Sequence, residues 1–356
     1  MIASAVRLAA ALALAVGIAG CDTIGYYAQS IGGHLAIVRA ARPVSEWIAD
    51  PNTDPRLKQR LELAERMRDF AVTDLHEPDN ASYRRYADLH RSAALWNVVA
   101  APELSLELER WCFLVVGCVG YRGYYDQAAA DAYARELQAR KLETNVYPVP
   151  AYSTLGRLPF DQFADPLLNT FIFYPEGELA HLMFHELAHQ IAYAPGDTEF
   201  NESFAVAVER IGAERWMNQH ASEAAREESA RIEARREDFR ALTSRYRAAL
   251  EALYRSDLPE AGKRARKAEL FAAMRAEHEA IKRERWGGFP GYDAWFARAN
   301  NASMALLAAY NEGVPAFRHL FEREGRDFDR FYAEVKRLAA LPADERHAAL
   351  AREAGS

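Results

Sequence analysis

The chain has 356 residues, 50% hydrophobic and 27% charged, so it is long enough to bury a sizeable core. The formal net charge is −7. No basic stripe interleaves with aromatic residues, and this balance excludes nucleic acid as a partner.

The N-terminus reads MIASAVRLAAALALAVGIAGC. Arg7 precedes an apolar run from Leu8 to Ile18, which is too short to span a bilayer comfortably and fits the apolar core of a signal peptide. The run ends in Ile18, Ala19, Gly20 and Cys21, which resembles the bacterial lipobox, in which the cysteine is acylated and becomes the new N-terminus. Residues 1–20 are thus the expected lipoprotein signal peptide and Cys21 the expected lipid attachment site. Asp22 resembles the inner-membrane retention signal of enteric-type sorting. The expectation is a lipid-anchored protein of the bacterial cell envelope, facing the periplasm. No later stretch is apolar for long enough to cross a membrane. That compartment permits disulfides, so Cys112 and Cys118, with five residues between them, are expected to pair.

After the anchor, helices are expected up to residue 74, broken at Pro43 and around Pro51–Pro55. Residues 111–125, rich in glycine and aromatics, read as strand or ordered loop, and DQAAADAYARELQARK reads as helix. TNVYPVPAYSTLGRLPF suits strand and loop at a sheet edge, and NTFIFYP a further short strand. Two helices follow, one holding HLMFHELAHQ and one NESFAVAVERIGAERWMNQH, with the short loop APGDTEF between them. Residues 219–285 are dense in charges of alternating sign and read as two long helices broken near Pro259 and Gly262, a charged hairpin with a solvated face. A last helical part holds NNASMALLAAYNEGVPAF and ends in a polar tail. The fold class expected is α+β, mostly α-helical, with a small sheet. The expected organisation is a helical region and catalytic core over 21–218, the hairpin over 219–285, and a C-terminal helical part over 286–356 packing on the core.

HELAH places His185, Glu186 and His189 within about one helical turn, among apolar residues on most sides. Burying three such groups without partners would cost several kcal/mol. Histidines at i and i+4 share a helix face, so both imidazoles can meet one zinc ion. Glu186 lies beside that face as a general base for a water. A catalytic zinc needs a third protein ligand, and the next helix offers Glu202 and Glu209, which lie on similar faces. Spacing alone leaves both open.

NESFAVAVERIG resembles the ligand helix of aminopeptidase N-type gluzincins, through Asn201, Glu202, Phe204, Ala205, Val208, Glu209 and Gly212. The resemblance implies a zincin-like helix-loop-helix site in which Glu202 is the third ligand, with Glu209 and Asn201 supporting the ligands from behind. Only 12 residues separate His189 from Glu202, a shorter loop than in those enzymes. A resemblance over most of the chain is carried by the lipobox, WCFLVVGCVGYRGYY, VPAYSTLGRLPF, FHELAHQ, NESFA and NNASMALLAAYNEGVPAF. Together these are similar to the putative aminopeptidase family of bacterial lipoproteins.

The function expected is membrane-anchored, zinc-dependent peptide hydrolysis with one zinc ion and a peptide as substrate. An amidase acting on envelope material and a binding protein with structural zinc are the alternatives. Zinc would acidify its water and polarise the scissile carbonyl, while Glu186 moves the proton to the leaving amine. Tyr310, Tyr193, Tyr152 and His181 are candidates for stabilising the oxyanion, Tyr310 first because it lies in a motif shared with the family. Substrate backbone is expected to pair with an edge strand, residues 150–156 or FIFYP. Glu176 and Glu178 stand just before the zinc helix, to favour its N-terminus or to bind an amine.

Overall fold

The computed structural model describes residues 25–113, 117–151, 161–309 and 313–354. The signal segment, Cys21, Asp22, Tyr152 and Tyr310 lie outside them, as does most of 150–156. The architecture is mostly helical with small sheets. Among the described residues no helix is long and apolar enough to cross a membrane.

A helix α1 over residues 25–40 leads into strand β1 (Arg42–Pro43), α2 (Val44–Ala49) and α3 (Pro55–Thr73). The break before α3 is built by local chemistry: Asp54 accepts from the backbone N–H groups of Arg56 and Leu57, and Pro55 occupies the first turn, where no N–H partner is needed. Strand β2 (Arg85–Ala87) lies between β1 and the later β8 (Leu167–Leu168) in one small sheet. A second sheet has β3 (Leu95–Pro102) at its centre. The disulfide hairpin β4 (Trp111–Phe113) and β5 (Gly117–Val119) precedes β6 (Arg122–Tyr124), α4 (Gln127–Ala139) and β7 (Leu142–Val149). Both β6 and β7 pair antiparallel with β3 and form the sheet's edges.

Alternation along β3 gives this sheet two distinct faces. Trp96, Val98 and Ala100 pack with Ala130, Ala134 and Leu137 of α4. Val99 and Ala101 point the other way, to Ala302, with Tyr121, Tyr147 and Leu306 against them. Asn97 stands opposite Tyr147 in the register and donates to its hydroxyl at 3.2 Å.

The predicted strand at NTFIFYP is instead a set of turns leading into α5 (Glu176–Ala188). Phe171 and Ile172 are buried side by side and Phe173 is 50% exposed, so the period-two burial of a strand is missing. Among the described residues the outer strand that leads up to residue 150 is β7.

Helices α5 and α6 (Thr198–Gln219) form the centre of the largest core, with Leu179, Met183, Phe184 and Leu187 of α5 fully buried. Late residues of α5 meet early residues of α6, so the pair runs antiparallel. Their close approach uses Gly212: a Cβ there would lie 2.7 Å from Leu75 and 2.9 Å from Phe184.

Helices α7 (Glu223–Arg255) and α8 (Glu260–Glu284) form the expected hairpin, but α7 is not merely solvated. It packs along α5 and α6, and Phe239, Leu242, Phe271 and Met274 build a further small core with Phe296 of α9 (Asp293–Arg298) and Met304 of α10 (Asn301–Ala309). The expected polar tail is also helical: α11 (Val314–Arg323), α12 (Phe328–Ala339) and α13 (Ala343–Ala354). Phe328, Phe331, Tyr332, Val335 and Leu338 recur at helical spacing and are buried, which gives α12 an apolar stripe that belongs to the main core.

Candidate metal centre

Ala188 is the last residue of α5 and His189 is its C-cap. His185 Nε2 and His189 Nε2 are 3.2 Å apart. Glu202 Oε2 lies 3.3 Å from the first and 3.7 Å from the second. The three ligand atoms thus converge, whereas the nitrogens and oxygens of unrelated side chains would not share one point. With zinc bonds of about 2.0–2.1 Å, a tetrahedron has edges of about 3.3–3.4 Å, close to all three separations. The donor set, two imidazoles and a carboxylate, is the chemistry of a three-ligand zinc site.

The electrostatics agree with a cation at this point. Burial pushes His189 down to about 4, so its ring is neutral and its lone pair available. Burial also disfavours charge on His185, but its hydrogen bonds to Glu202 and Glu209 outweigh it and raise its pKa well above the ordinary value. The two carboxylates thus favour positive charge on the group between them. Desolvation works against charge on Glu202, but the hydrogen bond and charge of His185 help to outweigh it and lower its pKa.

Glu209 occupies a different position. Its Oε2 accepts from His185 Nδ1 at 2.7 Å, which fixes the tautomer and leaves Nε2 facing the ligand point. Its other oxygen lies 3.5 Å from His181 Nδ1. The hydrogen bonds of the Asn201 side chain go to the loop and not to the histidines. Its side chain accepts from the N–H of Ala194 at 2.7 Å and donates to the carbonyl of the same residue at 2.9 Å, which holds the loop between α5 and α6.

That loop is clamped from two sides. Asp197 caps α6 by accepting from Phe200 N–H at 3.1 Å, and it meets Arg346 and His347 of α13 at 2.8 and 2.7 Å. On the other side, the hairpin closed by the Cys112–Cys118 disulfide brings Gly117 against the loop. Gly117 has φ of +76°, and a Cβ on it would lie 2.8 Å from the Gly196 nitrogen. Arg110 donates to the carbonyls of Cys118 at 2.9 Å and Gly196 at 2.6 Å.

Glu186 is half-buried beside the three candidate ligands, and its pKa is pushed up to about 7 by desolvation, with Glu202 and Asp165 adding to the rise. Asp165 is itself buried. The phenols near these carboxylates were not singled out by sequence reasoning. Tyr121 precedes β6 and Tyr147 lies on β7; burial raises the pKa of each, and the charge of Glu202 raises both further. Tyr193 acts on Tyr121 in the same way, so of the expected oxyanion candidates it lies on this side of the site. Tyr83 is buried close enough to Glu186 for that charge to raise its pKa. The only sequence signal for Tyr121 was its place in WCFLVVGCVGYRGYY; Tyr147 had none. Glu176 and Glu178 are not held for an amine: Glu176 accepts from Trp216 Nε1 at 2.9 Å, and Glu178 pairs with Arg236.

The only other candidate ligand cluster among the described residues is His278, Glu279 and Asp293, where Lys282 already supplies the cation at 2.5 Å from Asp293.

Residues 25–350 match a family model described as Putative aminopeptidase. No curated protein and no solved structure matches the chain. The match takes in both metal-site helices, the disulfide hairpin and nearly all of the C-terminal helices, and by it the chain belongs to the putative aminopeptidase family.

Proposed function

We propose that the protein is a zinc metallopeptidase of the gluzincin kind, with His185, His189 and Glu202 as ligands of one ion and Glu186 as general base. The observation that carries this reading is the convergence of those three ligand atoms, at separations of 3.2, 3.3 and 3.7 Å. Zinc bound there would supply a Lewis acid that polarises a scissile carbonyl and acidifies a water to a pKa of about 7.

The chain's own residues supply the rest. The Glu186 carboxylate accepts a proton from the attacking water and returns it to the departing amine as the C–N bond breaks. Its desolvated setting lets it both take up and release that proton near neutral pH. Burial keeps the Tyr121 and Tyr147 hydroxyls protonated, so they can donate to the oxyanion that develops at the carbonyl oxygen. Glu209 orients His185, and β7, an outer strand of its sheet among the described residues, offers backbone groups to an extended peptide. Action at a free amino terminus is the part of the reading that rests on the family. The lipobox-like N-terminus supports a lipid anchor at Cys21 and a position on the periplasmic face of a cell-envelope membrane.

The test measures bound zinc and peptide turnover for wild type and Glu186→Gln. The expected outcome is about one zinc per chain in both and a fall in kcat of about 10²–10⁴-fold in the variant. A wild type without zinc overturns the metal centre. Full turnover by Glu186→Gln overturns the mechanism.

A further inference from the structure

A cavity of about 600 Å³ lies between α6 and α7, and His185 and Glu209 form part of its wall. Arg210 enters it from α6, and Arg236, Arg240 and Arg247 from α7. The last three recur at helical spacing, so one face of the charged hairpin turns its guanidiniums toward the metal centre. Among the described lining residues four cations stand against a single carboxylate. That carboxylate, Glu209, is engaged by His185 and His181.

The acids that hold these arginines do not line the cavity. Glu233 takes Arg236 at 2.7 Å and Arg240 at 2.6 Å, Glu178 also takes Arg236, and Glu251 takes Arg247 at 2.9 Å. Anchored from outside in this way, the guanidiniums are oriented before any ligand arrives, which lowers the ordering cost of binding. Arg240 Nη1 is buried and finds no acceptor among the described residues. A carboxylate in the cavity would meet the lining guanidiniums in charge-assisted, fork-like pairs. A free amine would meet like charge instead.

We propose that this cavity is a carboxylate-binding subsite, which takes a side-chain or chain-terminal carboxylate of a peptide whose scissile bond lies at the metal centre. It rests on the peptidase reading for the identity of the ligand as a peptide. It gives the charged hairpin a role, since α7 supplies three of the four arginines, and it makes the protein selective for acidic peptides.

The experiment is calorimetric binding to the whole chain as purified, in a Glu186→Gln background so that no peptide turns over. The probes are the tripeptides Ala-Ala-Glu and Ala-Ala-Gln, each as free acid and as C-terminal amide. Any carboxylate bound by the metal itself contributes equally with and without the arginine, so the comparison isolates the cavity. Carboxylate-bearing peptides should bind about tenfold or more tightly than Ala-Ala-Gln amide, an advantage that Arg240→Gln removes; Glu233 keeps Arg236 as its partner in that variant. Preference for Ala-Ala-Glu amide assigns the side chain, and preference for Ala-Ala-Gln free acid assigns the chain terminus. If Arg240→Gln does not fold, Arg247→Gln serves in its place. Equal binding of all four peptides, or a preference that survives both substitutions, overturns the subsite. Failure of the unsubstituted enzyme to hydrolyse peptides overturns the peptidase reading and leaves the binding result standing.

Discussion

Replacing Glu209 separates a ligand from a residue that orients one. Glu209 Oε2 accepts from His185 Nδ1 at 2.7 Å, and the pair is partly buried. Desolvation works against the Glu209 charge, but the hydrogen bonds from His181 and His185 hold its carboxyl well below the usual carboxylate range. In Glu209→Ala the His185 ring loses its acceptor and with it the preference for the tautomer that leaves Nε2 bare. Loss of such an outer partner typically weakens metal affinity about 10–100-fold, or about 1.4–2.7 kcal/mol. Glu209→Gln should lose less, because its amide oxygen can still accept the same N–H. Glu202→Ala removes one of three ligands and should cost more than about 100-fold. Competition against a chromophoric chelator reads these affinities directly. Thermal unfolding at fixed excess zinc gives a second readout, since each tenfold in affinity removes about 1.4 kcal/mol of ligand-linked stability. The assignment is refuted if Glu209→Ala abolishes zinc binding while Glu202→Ala stays within tenfold of wild type.

Tyr121→Phe and Tyr147→Phe should each keep zinc, and at least one should lower kcat by about 10²–10³-fold, the usual effect of removing an oxyanion donor; unchanged kcat in both moves that role elsewhere. The double variant Cys112→Ser with Cys118→Ser opens a short loop and should lose about 2 kcal/mol by the chain-entropy relation, seen as a lower urea midpoint at constant slope; an unchanged midpoint refutes it. Asp197 is partly desolvated, which works against its charge, but Phe200 N–H, His347 and Arg346 outweigh this and depress its pKa. Its stabilising contribution is therefore present above the unfolded value of about 3.9 and is lost as pH falls from there through the depressed folded value. Urea titrations between pH 3 and 6 should show wild type losing stability on the acid side more steeply than Asp197→Asn; equal slopes contradict the role of this clamp.

The sequence by itself determined the parts whose information is local. The helix breaks at Pro43 and Pro51–Pro55 follow from backbone chemistry, and His185 and His189 share a face because four residues make about one turn. The pairing of Cys112 with Cys118 was legible because a short loop brings them together. The choice between Glu202 and Glu209 was not legible from spacing, since both lie on similar faces of α6. It depends on how far along α5 the second helix returns, and that is set by a loop pinned between the disulfide hairpin and α13. Tyr121, Tyr147 and the arginines of α7 come from distant segments, and only the packing of the β3 sheet and of α7 against α6 brings them to the candidate metal site. A charged helix written in isolation looks solvated, because its pattern does not reveal which neighbour will cover one face. Contacts between residues far apart in the chain depend on the tertiary structure, and here they decide what surrounds the ligands.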